Sequence, residues 1–207
     1  VFLHKTPFLL RAAYPNLLWR VPTRERIAYL TFDDGPVPDV TDFVLEQLRR
    51  FGAKGTFFCI GDNVQKHPDV FHRVLAAGHT VGNHTFNHLN GWQTPEAAYL
   101  QNVQACQEVL PAGTRLFRPP YGRITRQQAR AILPTHEVVM WDVLTGDFSA
   151  ELSPERVLKK TVQHTEPGSI VVFHDSVKAF RSLRYALPRT LEALTNRGYR
   201  FETVPSN

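Results

Sequence analysis

The 207-residue chain is predicted to fold as one α/β domain of the (β/α) type, and three observations carry that expectation. Short runs rich in β-branched and aromatic residues alternate with longer segments of helical period, the pattern of a parallel sheet joined by crossover helices. Hydrophobic residues make up 43% of the chain, which at this length is enough to bury one core without disulfides. Residues suited to chemistry fall just after the strand-like runs, where the loops of a (β/α) architecture converge on one mouth.

In chain order, residues 1–26 read as an N-terminal extension whose Tyr14, Leu17, Leu18 and Trp19 pack on a catalytic domain spanning 27–207. Seven strands are expected, at 27–32, 55–60, 80–82, 115–117, 137–141, 169–173 and 200–204. After the first, Phe43, Val44, Leu48 and Phe51 recur near a period of 3.6 and form an apolar helical stripe. Before the last, Leu187, Leu191 and Leu194 form another. Gly52, Gly78 and Gly198 follow helical segments, where positive φ is wanted, and Ser153 before Pro154 reads as an N-cap with proline at N1. No internal repeat, low-complexity tract or linker interrupts the series.

Lys and Arg number 24 against 19 Asp and Glu, but they are scattered, so no nucleic-acid track is expected. The basic excess suits solubility or weak attraction to an anionic polymer. Cys59 and Cys106 have neither CxxC nor zinc-knuckle spacing and read as ordinary thiols. The apolar run at 8–10 is too short for a secretory core and is flanked by Pro7 and Arg11; no run reaches transmembrane length. The expectation is a monomer, cytoplasmic on the visible chain, or in the cell envelope or secreted if an export signal has been removed.

Asp33 and Asp34 follow the first strand, and adjacent side chains on extended backbone point to opposite sides, so one can bind while the other reacts. A helix-capping pair is the alternative. His84 and His88 are spaced i, i+4, which on a helical turn brings two imidazoles to one face at metal-binding separation. With one Asp they make a set that zinc accepts while keeping a position for water, whose pKa falls to about 7 on the metal. Two exposed loop histidines are the competing reading. His174 ends an apolar strand and needs a polar partner, for which Asp147 is the candidate; a carboxylate there favours the protonated imidazole that a general acid requires. A core histidine bonded to backbone is the alternative. Arg118, stiffened by Pro119 and Pro120, is a candidate partner for Asp33. Trp92, Tyr121 and Phe148 read either as sugar-stacking surfaces or as core. His4, His67, His72, His79, His136 and His164 are assigned to surface or packing.

Over roughly residues 27–204 these features resemble the polysaccharide deacetylases, the NodB-homology group of carbohydrate esterase family 4. The segment Thr31-Phe32-Asp33-Asp34-Gly35-Pro36 is similar to the first family motif, His84-Thr85-Phe86-Asn87-His88 to the second, and Arg118-Pro119-Pro120-Tyr121-Gly122 to the third. Residues 141–148 resemble the fourth, and the apolar run ending in His174 and Asp175 the fifth. The resemblance implies a distorted (β/α) barrel of about seven parallel strands with its active site at their C-terminal ends. It further implies a zinc ion, or cobalt or nickel, on Asp34, His84 and His88, with Asp33 as base and His174 as acid. Arg118 would hold Asp33, Asp147 would hold His174, and the Tyr121 backbone N–H would steady the oxyanion. Pro120, Trp141 and Phe148 would line the substrate pocket. Leu144 and Phe148 depart from the motif, where the family commonly has Asp and Trp; Phe148 keeps an apolar wall for an acetyl methyl but has no indole donor.

The implied activity is removal of N-acetyl groups from N-acetylglucosamine units in peptidoglycan, chitin-like or surface glycans. An O-acetyl esterase acting on xylan is the neighbouring alternative. A magnesium-dependent phosphoryl-transfer domain is disfavoured by two imidazoles, and a non-haem iron oxygenase or a non-catalytic binding protein by the placement of Asp33 and His174.

Overall fold

The structure, a computed structural model, describes residues 3–206; Val1, Phe2 and Asn207, at the ends of the two expected segments, lie outside them. A short helix α1 (Phe8–Ala13) precedes the central strand β1 (Ile27–Asp33), every residue of which is buried. A strand apolar along most of its length is what a parallel sheet covered on both faces demands. There follow α2 (Val40–Arg50), β2 (Gly55–Cys59), α3 (Gly61–Lys66), α4 (Pro68–Ala76) and β3 (Thr80–Asn83). Then come α5 (Glu96–Val109), β4 (Leu116–Phe117), α6 (Arg126–Ile132), β5 (Glu137–Val138) and β6 (Val143–Leu144). The chain closes with α7 (Pro154–His164), β7 (Ile170–His174), α8 (Phe180–Thr195) and β8 (Arg200–Phe201).

The strands run in the order β5-β4-β3-β2-β1-β7-β6, with β8 paired to the start of β1, and every ladder is parallel. This is the expected α/β architecture, a sheet curled into a partial barrel. Two details differ from the sequence expectation. The 137–141 strand stops at Val138, and an unexpected strand, β6, follows it. The cause is a change of partner: beyond Val139 the backbone turns to the N-terminal segment, Met140 N–H donating to the Leu18 carbonyl at 2.7 Å, before β6 joins β7. The last strand is also shorter than expected, only Arg200 and Phe201 being paired.

Phe32 stacks between Phe57 and Phe173, with centroids 4.9 and 6.1 Å away. The stripes of α2 and α8 close over this layer, with Val44, Leu48, Leu187, Leu191 and Leu194 all buried. Ser153 caps α7, accepting from Arg156 N–H ahead of Pro154 at N1. On the open side, β5 and β6 end the sheet, and the arm formed by residues 3–20 lies along both of them. Leu18 bridges Val139, and Lys5 bridges Val143. Beneath the arm the buried Asp142 carboxylate meets Lys5 at 2.9 Å, Arg11 at 3.6 Å and Arg20 at 3.8 Å, and accepts from Ser169 at 2.6 Å. Among the described residues no helix is long and apolar enough to cross a membrane.

Candidate active site

Parallel pairing sets β1 and β7 in register so that Asp33 lies opposite His174 at the C-terminal edge of the sheet. Asp33 is buried, and its Oδ1 accepts from Arg118 Nη1 at 2.7 Å. Arg118 has no exposed surface; its guanidinium also donates to Thr31 Oγ1, the Val139 carbonyl and the Met140 carbonyl, and packs 4.1 Å over the Phe58 ring. A buried cation needs this degree of satisfaction. The backbone then enters the left-handed region at Asp34 (φ 82°), which turns its carboxylate away from Asp33 and toward the histidines.

The histidine pair does not lie on a helical turn as its spacing suggested. Residues 84–90 form a loop in which Thr85 and His88 take φ of 62° and 56°. Side chains hold it: Asn83 Oδ1 accepts from Thr85 N–H, and Asn102 Oδ1 accepts from the Phe86 and Asn87 amides. These anchors lie far from the histidines in sequence or carry no spacing signature, so the expected helical turn is absent, although the two imidazoles still meet with ring centroids 5.1 Å apart. His84 Nδ1 sits 2.7 Å from the Arg118 carbonyl, which fixes the proton there and leaves Nε2 as the free acceptor. Burial pushes this imidazole down to about 4, against the raising fields of Asp33 and Asp34, so it is neutral and ligand-ready. His88 Nδ1 lies 3.2 Å from the Tyr121 hydroxyl.

Asp34 Oδ1 is 3.2 Å from His88 Nε2 and 3.8 Å from His84 Nε2, and the three residues' ligand atoms all fall within 4.8 Å of one another. Ligand atoms around a tetrahedral zinc stand roughly 3.3 Å apart, so the set fits such an ion with small adjustment. The Asp34 Oδ1 atom is buried and receives no hydrogen bond, His88 Nε2 approaching it off the donor direction, which is the orphaned acceptor a cation would satisfy. Burial would raise the Asp34 carboxyl, but the His88 contact and the fields of His174, His84 and His88 outweigh it and hold the group below the usual carboxylate range.

Across the cavity, His174 Nδ1 is 2.8 Å from Asp147 Oδ1, and its backbone N–H donates to Asp147 Oδ2 at 2.8 Å. Burial works to lower the His174 imidazole, but the charge and hydrogen bond of Asp147, then Asp34 and Asp33, raise it to about 9. The Phe148 and His174 rings meet edge to face, with centroids 4.9 Å apart. One group named in the fifth motif was given no role by the sequence. Asp175, fully buried, accepts from Gly35 N–H at 3.1 Å and Thr41 Oγ1 at 2.6 Å, while its own N–H donates to the Asp33 carbonyl. It thus ties the turn that carries Asp34 to the end of β7. Burial, then the charge of Asp34, raises its carboxyl to about 8. A lone carboxylate after a histidine gives no spacing signal of this tethering role, because its partners, Gly35 and Thr41, lie about 140 positions away.

A cavity of about 1020 Å³ joins these groups. Asp33, Asp34, His84, His88 and His174 line it, with Tyr121, Trp141 and Phe148 forming part of its wall. Arg118 and Asp147 are buried and act on it through Asp33 and His174. Pro120 is not in the lining: it is the buried first residue of a 3-10 turn, and Tyr121, at φ 59°, is the residue presented instead. Cys59 and Cys106 are buried free thiols.

Comparison with known proteins follows the same lines. The family profile described as polysaccharide deacetylase matches residues 20–138. A peptidoglycan-N-acetylglucosamine deacetylase of Bacillus cereus is 34% identical over 191 residues, covering 90% of each chain. A chitooligosaccharide deacetylase of Azorhizobium caulinodans is 31% identical, covering 90% of this chain and 96% of its own. Of longer relatives this chain spans only part, 66% of a second Bacillus cereus enzyme and 39% of one from Listeria monocytogenes. Among solved structures, a peptidoglycan N-acetylglucosamine deacetylase in complex with 4-naphthalen-1-yl-N-oxidanyl-benzamide superposes with a TM-score of 0.88 at 29% identity, covering 97% of this chain and 95% of that one.

Proposed function

The chain belongs to the polysaccharide deacetylase family, and from that premise we propose that it is a divalent-metal-dependent hydrolase removing N-acetyl groups from N-acetylglucosamine-containing poly- or oligosaccharides. One observation carries the reading: a carboxylate held by a buried arginine and an imidazole held by a buried carboxylate face one cavity that also contains the Asp34, His84 and His88 cluster. Zinc, or cobalt or nickel, held by those three side chains would supply Lewis acidity toward the acetamide carbonyl and lower the pKa of a water.

The remaining steps belong to the chain's own groups. Asp33, oriented by Arg118, takes a proton from the attacking water. His174 keeps its Nδ1 proton on Asp147, so Nε2 is the atom that delivers a proton to the departing amine. The Tyr121 backbone N–H donates to the oxygen that becomes negative as the carbonyl carbon turns tetrahedral. Trp141 and Phe148 supply apolar wall for the acetyl methyl.

The test is acetate release from N-acetylglucosamine oligomers and peptidoglycan by the zinc-loaded protein, beside Asp33→Asn and His174→Ala variants of verified metal content. Loss of release in both variants supports the two proton-transfer roles. Release from acetylated xylan alone would replace the amidase reading with the esterase one, and no release from any acetylated glycan would overturn both.

A further inference from the structure

The cavity extends well beyond the reacting groups, and its far limb has a different chemistry. It runs between the N-terminal arm, which contributes Leu10, Ala13 and Leu17, and α6 with its C-cap, which contribute Ala129 and Leu133. The arm is held in place by the buried Asp142, yet α1 buries none of its residues: Phe8, Leu9 and Leu10 are 71%, 79% and 42% exposed. An apolar helix fixed in an exposed position beside a cavity marks a surface that something covers. Arg126 and Arg130 share the cavity-lining face of α6 with Ala129 and the C-cap Leu133, and among the described residues neither pairs with a carboxylate. Between the arm and α6 the lining is mostly apolar, from Leu10, Ala13, Leu17, Ala129 and Leu133 with the rings of Tyr14 and Trp19, and its rim is cationic.

We propose that this limb is a subsite for the hydrocarbon chain of an anionic, acetylated glycolipid, with Arg126 and Arg130 meeting its charged group. The choice of occupant rests on three features: continuity with the reacting centre, the apolar walls, and the uncompensated positive charge at their edge. The inference relies on the deacetylase reading only to place the sugar at Asp34, His84 and His88, and the chain subsite is testable apart from turnover.

The protein carries its own reporter, because Trp19, Trp92 and Trp141 are its only three tryptophans and all line this cavity. The full chain is titrated, below the micellar range, with dodecyl phosphate, dodecyl maltoside and inorganic phosphate while tryptophan emission is followed. Dodecyl phosphate is expected to saturate the change, dodecyl maltoside to bind more weakly, and phosphate alone to leave emission unchanged. Leu10→Asp, on the exposed arm where it cannot open the core, should weaken dodecyl phosphate roughly tenfold by placing a charge against the chain. Arg126→Glu with Arg130→Glu should narrow the gap between the two dodecyl ligands. In turnover, octyl N-acetylglucosaminide should be preferred over the methyl glycoside, with the preference lost in Leu10→Asp.

A titration that does not saturate, that is indifferent to Leu10→Asp, or that phosphate alone reproduces overturns the subsite. Acetate release without either the titration or an octyl preference overturns it too, leaving the deacetylase reading in place. An intact titration with no release from any acetylated substrate supports the subsite and counts against that reading.

Discussion

Arg118 illustrates how much one side chain holds together here. Its guanidinium is spent on Thr31, Asp33 and two backbone carbonyls with no solvent contact, so a neutral replacement leaves the Asp33 carboxylate buried without its cation. Arg118→Met is therefore expected to lose about 3–5 kcal/mol in urea denaturation, the usual cost of breaking rather than replacing a buried pair. The pairing was readable because a proline-stiffened arginine and an acid both follow strands; the supporting Thr31 contact was not, since a strand threonine has no reason in sequence to face a loop arginine. His174 gives a pH test. Its imidazole is raised from an unfolded value near 6.5 to about 9, so the Asp147 pair contributes stability that is complete below about 6.5 and lost as pH rises through 9. The stability advantage of wild type over Asp147→Asn, measured in chelator, should shrink by on the order of 2–3 kcal/mol between pH 6 and pH 10. An advantage constant with pH would mean that Asp147 serves packing alone.

At the scale of elements, the site depends on how three connections leave their strands. The β1 turn is the tightest, since a Cβ on Gly35 would overlap the Asp175 carboxylate. Gly35→Ala must therefore shift either the turn or β7, and it is expected to cost about 1–3 kcal/mol, as overpacking does. Because Asp34 rides on the same turn, cobalt affinity read by competition with a chromophoric chelator should fall along with stability; a stability loss with unchanged affinity would show that Asp34 is positioned independently of Asp175. The major strands and helical stripes were legible because continuous apolar runs and a 3.6-residue period report burial directly, as Val44, Leu48, Leu187 and Leu191 show. What stayed hidden was set by tertiary partners. The His84 and His88 loop owes its shape to Asn102 on α5, and β6 forms by pairing with β7 after the backbone beyond Val139 has turned to the arm. Neither partner leaves a local pattern.

For the whole molecule, the open side of the curled sheet poses a problem that the N-terminal arm answers. Two strand edges, β5 and β6, would expose unpaired backbone groups, and the arm pairs with both while carrying apolar residues along the cavity rim. Sequence suggested an extension packed through Tyr14, Leu17, Leu18 and Trp19, but not that its charges would converge on a buried acid. Three cations within 4 Å of Asp142 make that carboxylate the point where arm and sheet are joined. The three remain partly exposed, so they can rehydrate if the acid is removed, which limits the loss; Asp142→Ala should cost about 1–3 kcal/mol, below the figure for a fully buried pair. The effect should also be local. The amides of Thr6, Leu18 and Met140, which pair across the seam, should exchange hydrogen faster, while those of β1 and β7 keep their protection. If the arm forms the far wall of the substrate cavity, Asp142→Ala should in addition raise KM for long or amphiphilic acetylated substrates more than for a methyl glycoside, because the Asp34, His84 and His88 cluster lies on other connections. Uniform loss of protection across the sheet would instead make Asp142 a support of the entire fold, and the arm a passive cover.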